Sequence, residues 1–522
     1  MALHKFLIEH AIWPAMEKRK GNKIREIQRA LEKSQYEDVA ALQRERLTEL
    51  LLHCKAHVPA YESVLPDEDT IRQDPYAALR CVQPLAKRTF QTEAEAHLAD
   101  NVPQSVRIAN CTGGSTGEPV RFFMTRAQVE SYEAARWRGL GWYGITQGSR
   151  SVMLWGSPIE LSQQAQLKNR IKESLLKNRQ ILSAYHLSEQ ELAKQVTFLN
   201  RYKPEYLYGY ASILTAFAQM MERRGLSLKI TLKAVVSTSE TLEPWQEQLL
   251  GRVFRCPVAN EYGARDAGIL AYRCPEGCMH ITAENCVIEV LSPKTHEPLE
   301  KGESGVLAVT DLHNFVQPRL RYLLGDVAGI SGEACRCGRT LPLLTHVEGR
   351  EDDLLLGHDG VLVHGNIIGQ LLRPVPGVGA FPDAMAALTG SGLTDAVLKA
   401  AETKPFLGIC LGMQIAVIEY ARHVCGIADA NSGEFDENGL NKVIDFMPDQ
   451  SSTINMGGTL RLGSYPCEIA EGTQMARCYG VSHIDERHRH RYEFNNDYRE
   501  TLTKAGMVIS GTSPDGRIVE TV

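Results

Sequence analysis

The chain has 522 residues, 43% hydrophobic and 23% charged, long enough for several cores, because single cores stop growing near roughly 250 to 300 residues. Its formal charge of −6, with both signs interspersed, lacks the electrostatic footprint of a nucleic-acid binder and points to small-molecule partners. Thirteen cysteines, odd in number and irregularly spaced, fit a reducing compartment where thiols serve as metal ligands, nucleophiles or core residues.

The start, MALHKFLIEHAIWPAMEKRKG, has its apolar stretches broken by His4, Lys5, Glu9 and His10, and no uncharged apolar run of about 18 residues follows anywhere. The expectation is a cytoplasmic protein without membrane insertion; the oligomeric state is left open. Residues 15–60 carry apolar positions at helical spacing and reach Pro59, which reads as a helical lead-in. From 105 to about 350, β-rich runs (VRFFMT, SVMLW, LKAVVST, GVLAVTD) alternate with helical ones (AQVESYEAARWRGL, PWQEQLLGRVF), the rhythm of an α/β domain. Gly and Pro cluster in LLRPVPGVGAFPDA, the best candidate boundary. Beyond it PFLGIC and LGMQIAVIEYARHV read as strand, turn and amphipathic helix, and 427–460 as loops.

The run Thr112-Gly113-Gly114-Ser115-Thr116-Gly117 ends at Glu118-Pro119, and its amides and hydroxyls could surround an anion. Alone it fits a plain turn as well, and no Gly-Lys-Ser/Thr makes it a Walker loop. Three further motifs follow in order: Glu261-Tyr262-Gly263-Ala264-Arg265-Asp266, Arg321-Tyr322-Leu323-Leu324-Gly325-Asp326, and Gly349-Arg350-Glu351-Asp352-Asp353. Together with RERLTELLLHCKAHVPAYE and PLAKRTF, they resemble the adenylate-forming ligases of the phenylacetate–CoA ligase and capsular-polysaccharide branch over residues 1 to about 375. That resemblance implies ATP phosphates at Thr112 and 113–117, adenine and acyl group at Tyr262 and Gly263, ribose hydroxyls at Asp326, and a hinge at Arg350 and Asp352. It also implies Mg²⁺ at Asp266, where the family has Glu, so the ion must be reached by a carboxylate one methylene shorter. Family members carry a C-terminal lid that brings a lysine to the site; the pattern leaves the family near Val375, and Lys399 and Lys404 belong to a different motif.

Cys274 and Cys278 form C-x3-C, and Cys335 and Cys337 form C-x-C further on. Paired thiolates able to bite one tetrahedral ion suggest structural Zn²⁺, with His280 able to replace one ligand; buried core thiols are the alternative. Cys111 and Cys286 read as structural.

Cys410 lies in Gly408-Ile409-Cys410-Leu411-Gly412. Small residues on both sides allow a sharp strand-to-helix turn, and a helix N-terminus favours thiolate. The pattern alone also fits a buried structural cysteine. With LGICLGMQIAVIEYAR, ANSGEF, MGGTLRLG, ERHRHRYEFNN and ISGTSPDGRIVE, the stretch from about 404 to 522 resembles the glutaminase domain of CTP synthases. By that resemblance Cys410 forms the glutamyl thioester, Leu411, Gly412, Met413 and Gln414 supply main-chain contacts, and Glu434 and Arg491 hold the glutamine. PGVGAFPDAMAAL with KPFLGICLGMQ (376–414) is instead similar to the glutaminase subunit of imidazole-glycerol-phosphate synthase, which puts Gly377 and Gly379 at the oxyanion amides. In the family a His-Pro-Glu element supplies the base for the cysteine. It is not among these 522 residues, and His488 and His490 fall in ERHRHRY, which serves other purposes.

The expected fold is α/β: a helical lead-in at 1–90, an adenylate-forming ligase N-domain at 91–375 without its lid, and a partial class I glutamine amidotransferase domain, flavodoxin-like, at 376–522. The resemblances imply ligase-class chemistry on ATP, a carboxylic acid and glutamine, with the glutamine-dependent amination of UTP to CTP of pyrimidine biosynthesis in the intact family. They leave open a fused chain with no integrated activity, joined at strings both parents share, 376–378 and 407–414.

Overall fold

The computed structural model describes residues 2–112, 120–155, 173–183, 189–350, 354–356, 362–364, 411–434, 436, 439–446, 461–490 and 492–522. Contacts divide the chain into two units near residue 368.

The lead-in is helical. Ile24–Ser34 (α1) precedes Val39–His57 (α2), which starts at Asp38, whose carboxylate accepts the Ala40 N–H at 3.0 Å, and stops at Val58 in extended backbone. Pro59 disfavours the helical conformation for the residue before it and opens the next short helix. Leu47, Leu50, Leu51 and Cys54, spaced i, i+3, i+4 and i+7, are fully buried in a cluster with Val287, Leu312 and Leu320. The Tyr61 hydroxyl donates to the Pro318 carbonyl, 257 positions on.

Ile108–Cys111 (β1) and Arg121–Met124 (β2) form an antiparallel hairpin. Arg126–Gly141 (α3) opens with a capping box, Thr125 and Gln128 each bonding the other's backbone N–H. A parallel array follows: Ser151–Trp155 (β3), Arg179–Ser183 (β4), Tyr206–Tyr210 (β5), Ala234–Thr238 (β6) and Val258–Ala264 (β7), in the spatial order β4-β3-β5-β6-β7. Every residue of β3 and β6 is buried. The reason is coverage on both faces, which also explains why these strands read as continuous apolar runs. One face packs against Glu189–Tyr202 (α4), Ala211–Arg223 (α5) and Pro244–Phe254 (α6). The other packs against α1 and α3. A Cβ on Gly139 of α3 would stand 2.3 Å from the Tyr272 ring, so glycine sets how closely this helix approaches the sheet.

After β7 the sheet turns antiparallel through Gly268–Arg273 (β8) and Met279–Ile281 (β9). It continues past Leu343–Leu344 (β13) to Tyr322–Ser331 (β12), Ser304–Asp311 (β11) and Cys286–Leu291 (β10), with Gly349–Arg350 (β14) on β12. Leu354–Leu356 (β15) and Leu362–His364 (β16) form a separate hairpin.

In the second unit Leu411–His423 (α7) buries Val417, Ile418 and Ala421 against Val443, Ile444 and Phe494. Asn431–Ser432 (β17), Lys442–Phe446 (β18) and Tyr492–Phe494 (β21) make a three-stranded sheet. Arg461–Ile469 (β19), His483–His490 (β20), Gly511–Thr512 (β22) and Val519–Thr521 (β23) make a four-stranded one in the order β20-β19-β22-β23. The expectation of loops across 427–460 is corrected by β17 and β18. Val443 and Ile444 are fully buried there, a short β-branched pair outweighing its polar flanks.

Candidate nucleotide, metal and glutamine sites

Tyr262, Asp326 and Arg350, drawn from three separate motifs, meet side chain to side chain. The Tyr262 hydroxyl donates to Asp326 Oδ2 at 2.8 Å and Arg350 Nη1 to Asp326 Oδ1 at 2.9 Å. The sheet positions them: β7 carries Tyr262, and β12 pairs with β14 so that Asp326 faces Arg350. Burial pushes the Asp326 carboxyl above its ordinary range, with Arg350 and Tyr262 pulling the other way. Burial, then the Asp326 charge, drives the Tyr262 phenol well above its usual value. A Cβ on Gly263 would lie 2.4 Å from the Gly268 carbonyl, so only glycine fits the bulge where β7 bends.

Asp266 is buried, and its carbonyl accepts from Arg319 Nη2 at 2.5 Å. Arg319 is itself stacked near Phe90, Phe122 and Tyr322. Tyr322 is raised by burial first and by the Asp266 charge next, which places that carboxylate beside the ring. An oxygen-only donor at this position suits Mg²⁺, which takes one or two carboxylates and completes its shell with water and phosphate. Thr112 and Val120 clamp the ends of the glycine-rich stretch: each bonds the other, at 3.0 Å through backbone and 2.9 Å through the Thr112 hydroxyl. Gly113, Gly114, Ser115, Thr116 and Gly117 lie outside the described residues.

A cavity of about 550 Å³ adjoins this cluster, roofed by α3 and floored by the parallel strands. Tyr132, Glu133, Arg136 and Trp137 come down from the helix; Ser151, Met153 and Trp155, alternating along β3, face up. Across it Arg136 Nε sits 3.2 Å from Glu261, whose other oxygen accepts the Tyr208 hydroxyl at 2.7 Å, and Arg136 Nη1 reaches Glu133 at 2.7 Å. Burial works against the Arg136 charge, but Glu261, Tyr208 and Glu133 together hold its value well above the ordinary one. Glu261 belongs to a motif the sequence singles out, yet its partner does not. No sequence signal singles Arg136 out, because the buried face of α3 itself carries polar residues such as Gln128, Glu130 and Arg138.

Cys274, His280, Cys335 and Cys337 bring four donor atoms within 4.8 Å of one another. Cys274 and Cys335 sulfurs are 3.6 Å apart, and Cys337 Sγ is 3.2 Å from His280 Nε2. These spacings and this soft donor set fit tetrahedral zinc, whose bonds to sulfur run about 2.3 Å. Burial and the Arg339 charge lower His280 to about 4, which keeps the imidazole neutral as a ligand must be. Burial raises Cys274 to about 12 and Cys278 to about 11. Burial also acts to raise Cys335, but hydrogen bonds from Cys337, Cys278 and Cys274 outweigh it and hold that thiol below its usual value. Of the four cysteines read from spacing, the compact quartet keeps three. Cys278 stands beside Cys335, and His280 takes the fourth place. Cys286 is buried in the core, whereas Cys111 is exposed.

In the second unit Leu411, Gly412, Met413 and Gln414 form the first turn of α7, and buried Gln414 donates from Nε2 to the Tyr492 carbonyl at 2.8 Å. That bond ties the helix start to the residue after Arg491. The Glu434 N–H donates to the Ser432 hydroxyl at 3.1 Å, and its side chain is exposed. Cys410, Gly377, Gly379 and Arg491 lie outside the described residues. His488 and His490 stand on β20 opposite Gly463 and Arg461.

Residues 375–522 match the family model for glutamine amidotransferase class-I. The C-terminal part is 66% identical over 116 residues to a CTP synthase of Rubrobacter xylanophilus, covering 22% of this chain and 21% of that protein. It is 49% identical over 156 residues to a CTP synthase of Staphylococcus saprophyticus, covering 30% and 29%. The chain thus spans about a fifth to under a third of the length of these curated relatives. The N-terminal part is similar in structure to 2-hydroxyisobutyryl-CoA ligase crystallised in an open conformation with 2-HIB-AMP and CoA: TM-score 0.51, 20% identity, covering 64% of this chain and 80% of that one. The same ligase in its postadenylation state gives TM-score 0.52 at 19% identity, covering 65% and 73%. At these identities the likeness is one of fold. No described helix is long and apolar enough to cross a membrane. The N-terminal part thus has a fold like that of a CoA ligase that forms an acyl adenylate, and the C-terminal part, residues 375–522, matches the class I glutamine amidotransferase family and is similar in sequence to CTP synthases.

Proposed function

We propose that the N-terminal part binds ATP and activates a carboxylic acid as its acyl adenylate, and that the C-terminal part binds glutamine with Cys410 as nucleophile. The observation that carries the first half is the meeting of Tyr262, Asp326 and Arg350, 64 and 24 positions apart in sequence, around one carboxylate. Asp326 offers acceptors for ribose hydroxyls, Tyr262 would border the nucleotide beside it, and Gly263 lines the cavity. The substrate carboxylate attacks the α-phosphorus and pyrophosphate leaves, a reaction governed by positioning and charge neutralisation. Bound Mg²⁺ would supply part of that neutralisation, with Asp266 as its protein ligand. The glycine-rich loop at 113–117 would take the phosphates, and Arg350 with Asp352 would mark the hinge. Zinc at Cys274, Cys335, Cys337 and His280, with Cys278 adjacent, would be structural.

For the C-terminal part the proposed contacts are Gly377 and Gly379 for the oxyanion, Leu411 to Gln414 along the helix start, and Glu434 with Arg491 for the glutamine backbone groups. The base that would take the Cys410 proton, a His-Pro-Glu element in the family, is not among residues 1–522. Amination of UTP belongs to the reading only through the domain's family. A second reading, a fused chain with no integrated activity, is favoured by the strings at 376–378 and 407–414 that both parents share.

Calorimetric titration with ATP tests the first half: Asp326→Ala should weaken binding roughly tenfold or more, the worth of a charge-assisted hydrogen-bond pair. Equal affinity in the variant would remove Asp326 from the site. For the second half, glutamine-dependent ammonia release that Cys410→Ala abolishes would support Cys410 as nucleophile and make His488 and His490 the bases to test next, whereas release that survives the change would remove Cys410 from that role.

A further inference from the structure

The cavity under α3 is longer than the activation of a small acid requires. β3 runs along its floor from Ser151 to Trp155, a span of about 13 Å at roughly 3.3 Å per residue. Its Trp155 end lies toward the carboxyl ends of the strands, where Ser239, Gly263 and Ala264 join the lining. That is where ligands of open α/β sheets bind. At the other end the register sets Arg179 and Tyr206 beside Ser151, and Lys177 joins them on the wall.

The charges along this passage are unevenly matched. In the middle, Arg136 is answered by both Glu133 and Glu261. At the Ser151 end two cations, Lys177 and Arg179, share the carboxylate of Glu173 as their ion-pair partner among the described residues, with Lys177 at 2.9 Å. Burial of the Lys177 ammonium, then the Arg179 charge beside it, lowers its value, and Glu173 only partly compensates; Glu133 also attracts it while its own Oε1 is engaged by Arg136. An alkyl chain here would desolvate charged groups without replacing their partners, a costly arrangement. Aromatic rings line the stretch between, with Trp155 stacked on Tyr208 and Tyr210 at centroid distances of 6.1 and 4.3 Å.

We propose that this cavity takes an elongated acid with a flat middle and a second anionic group at its far end, bound by Lys177 and Arg179. The inference rests on the adenylation reading above and names its substrate class. A dicarboxylate or an aryl acid bearing a carboxylate or sulfonate fits. A fatty acid does not.

The test uses the full chain and two non-reactive acyl-sulfamoyl adenosines, alike except that one acyl group ends in phenyl and the other in para-carboxyphenyl, with ATP titrated separately. The carboxyphenyl compound should bind roughly tenfold tighter or better, as a charge-assisted pair would give. Lys177→Met and Arg179→Met should each erase most of that preference, Lys177→Arg should restore it, and ATP affinity should stay unchanged in all three. If ATP binds but the two compounds bind alike, or the phenyl compound wins, the distal-anion assignment is overturned while the adenylation reading stands. If neither ATP nor either compound binds the native chain, both fall together.

Discussion

Glu205 shows how one carboxylate ties the N-terminal helix Ala2–Leu7 to the start of β5. Its Oε2 lies 2.8 Å from both Lys5 and Lys233. Burial opposes the charge, but the hydrogen bonds from Lys233 and Lys5 win and bring the carboxyl down to about 2 from 4.5. A native value below the unfolded one means the stabilisation is complete above about pH 4.5 and is lost as the pH falls toward 2. The side chain is 24% exposed, so solvent screening leaves about 1 kcal/mol of it. Glu205→Gln should therefore melt lower than the native chain at about pH 6, with the gap closing on acidification. A gap that stays constant would refute the linkage. At the metal cluster, the purified chain should hold about one zinc, and Cys335→Ser/Cys337→Ser should lose it, measured by elemental analysis. A chelator should lower the melting temperature of the native chain but not of that variant. Zinc content unaffected by the double change would rule out these thiols as ligands.

Among the elements, α3 carries the most, roofing the cavity on one stripe and closing against β8 on another. Gly139→Ala would place a methyl 2.3 Å from the Tyr272 ring, with the helix unable to withdraw because buried Arg138 is paired with Glu284. Although alanine favours helix, the clash should dominate by about 1 to 3 kcal/mol. Thermal melting checks the sign, and a stabilised variant would show that the helix can shift. This helix was legible from its sequence to within a residue or two, as were α6 and the strands β3, β6 and β11, because continuous apolar runs and helical periodicity report burial directly. The short strands β17 and β18 were not: two buried apolar residues, Val443 and Ile444, inside a polar stretch leave too little pattern. Site legibility follows the same logic. Motif residues such as Tyr262 and Asp326 could be named, but their contact, the Arg136–Glu261 pair and the entry of His280 into the cysteine cluster arise from strand register between distant segments.

At the scale of the whole chain, each unit has its own core: Val417, Ile418, Val443, Ile444 and Phe494 in the second, and larger clusters on both faces of the sheet in the first. A polypeptide ending at residue 375 is therefore expected to fold, to hold zinc, and to bind ATP as tightly as the full chain. Calorimetry and elemental analysis of that piece decide it. Loss of ATP binding on truncation would assign part of the nucleotide site to residues beyond the cut.

The helical lead-in packs its apolar stripe on local residues, Tyr61, Leu65, Ile71 and Leu79 among them, and completes that cluster with Val287, Leu312 and Leu320. During synthesis, the bond from Tyr61 to Pro318 cannot form until 257 more residues have been added. At roughly 5 to 20 residues per second this is a wait of about 13 to 51 seconds. Throughout that interval Leu47, Leu50 and Leu51 can meet only their local partners, so the nascent lead-in is a half-built core whose remaining side stays open until Val287, Leu312 and Leu320 arrive.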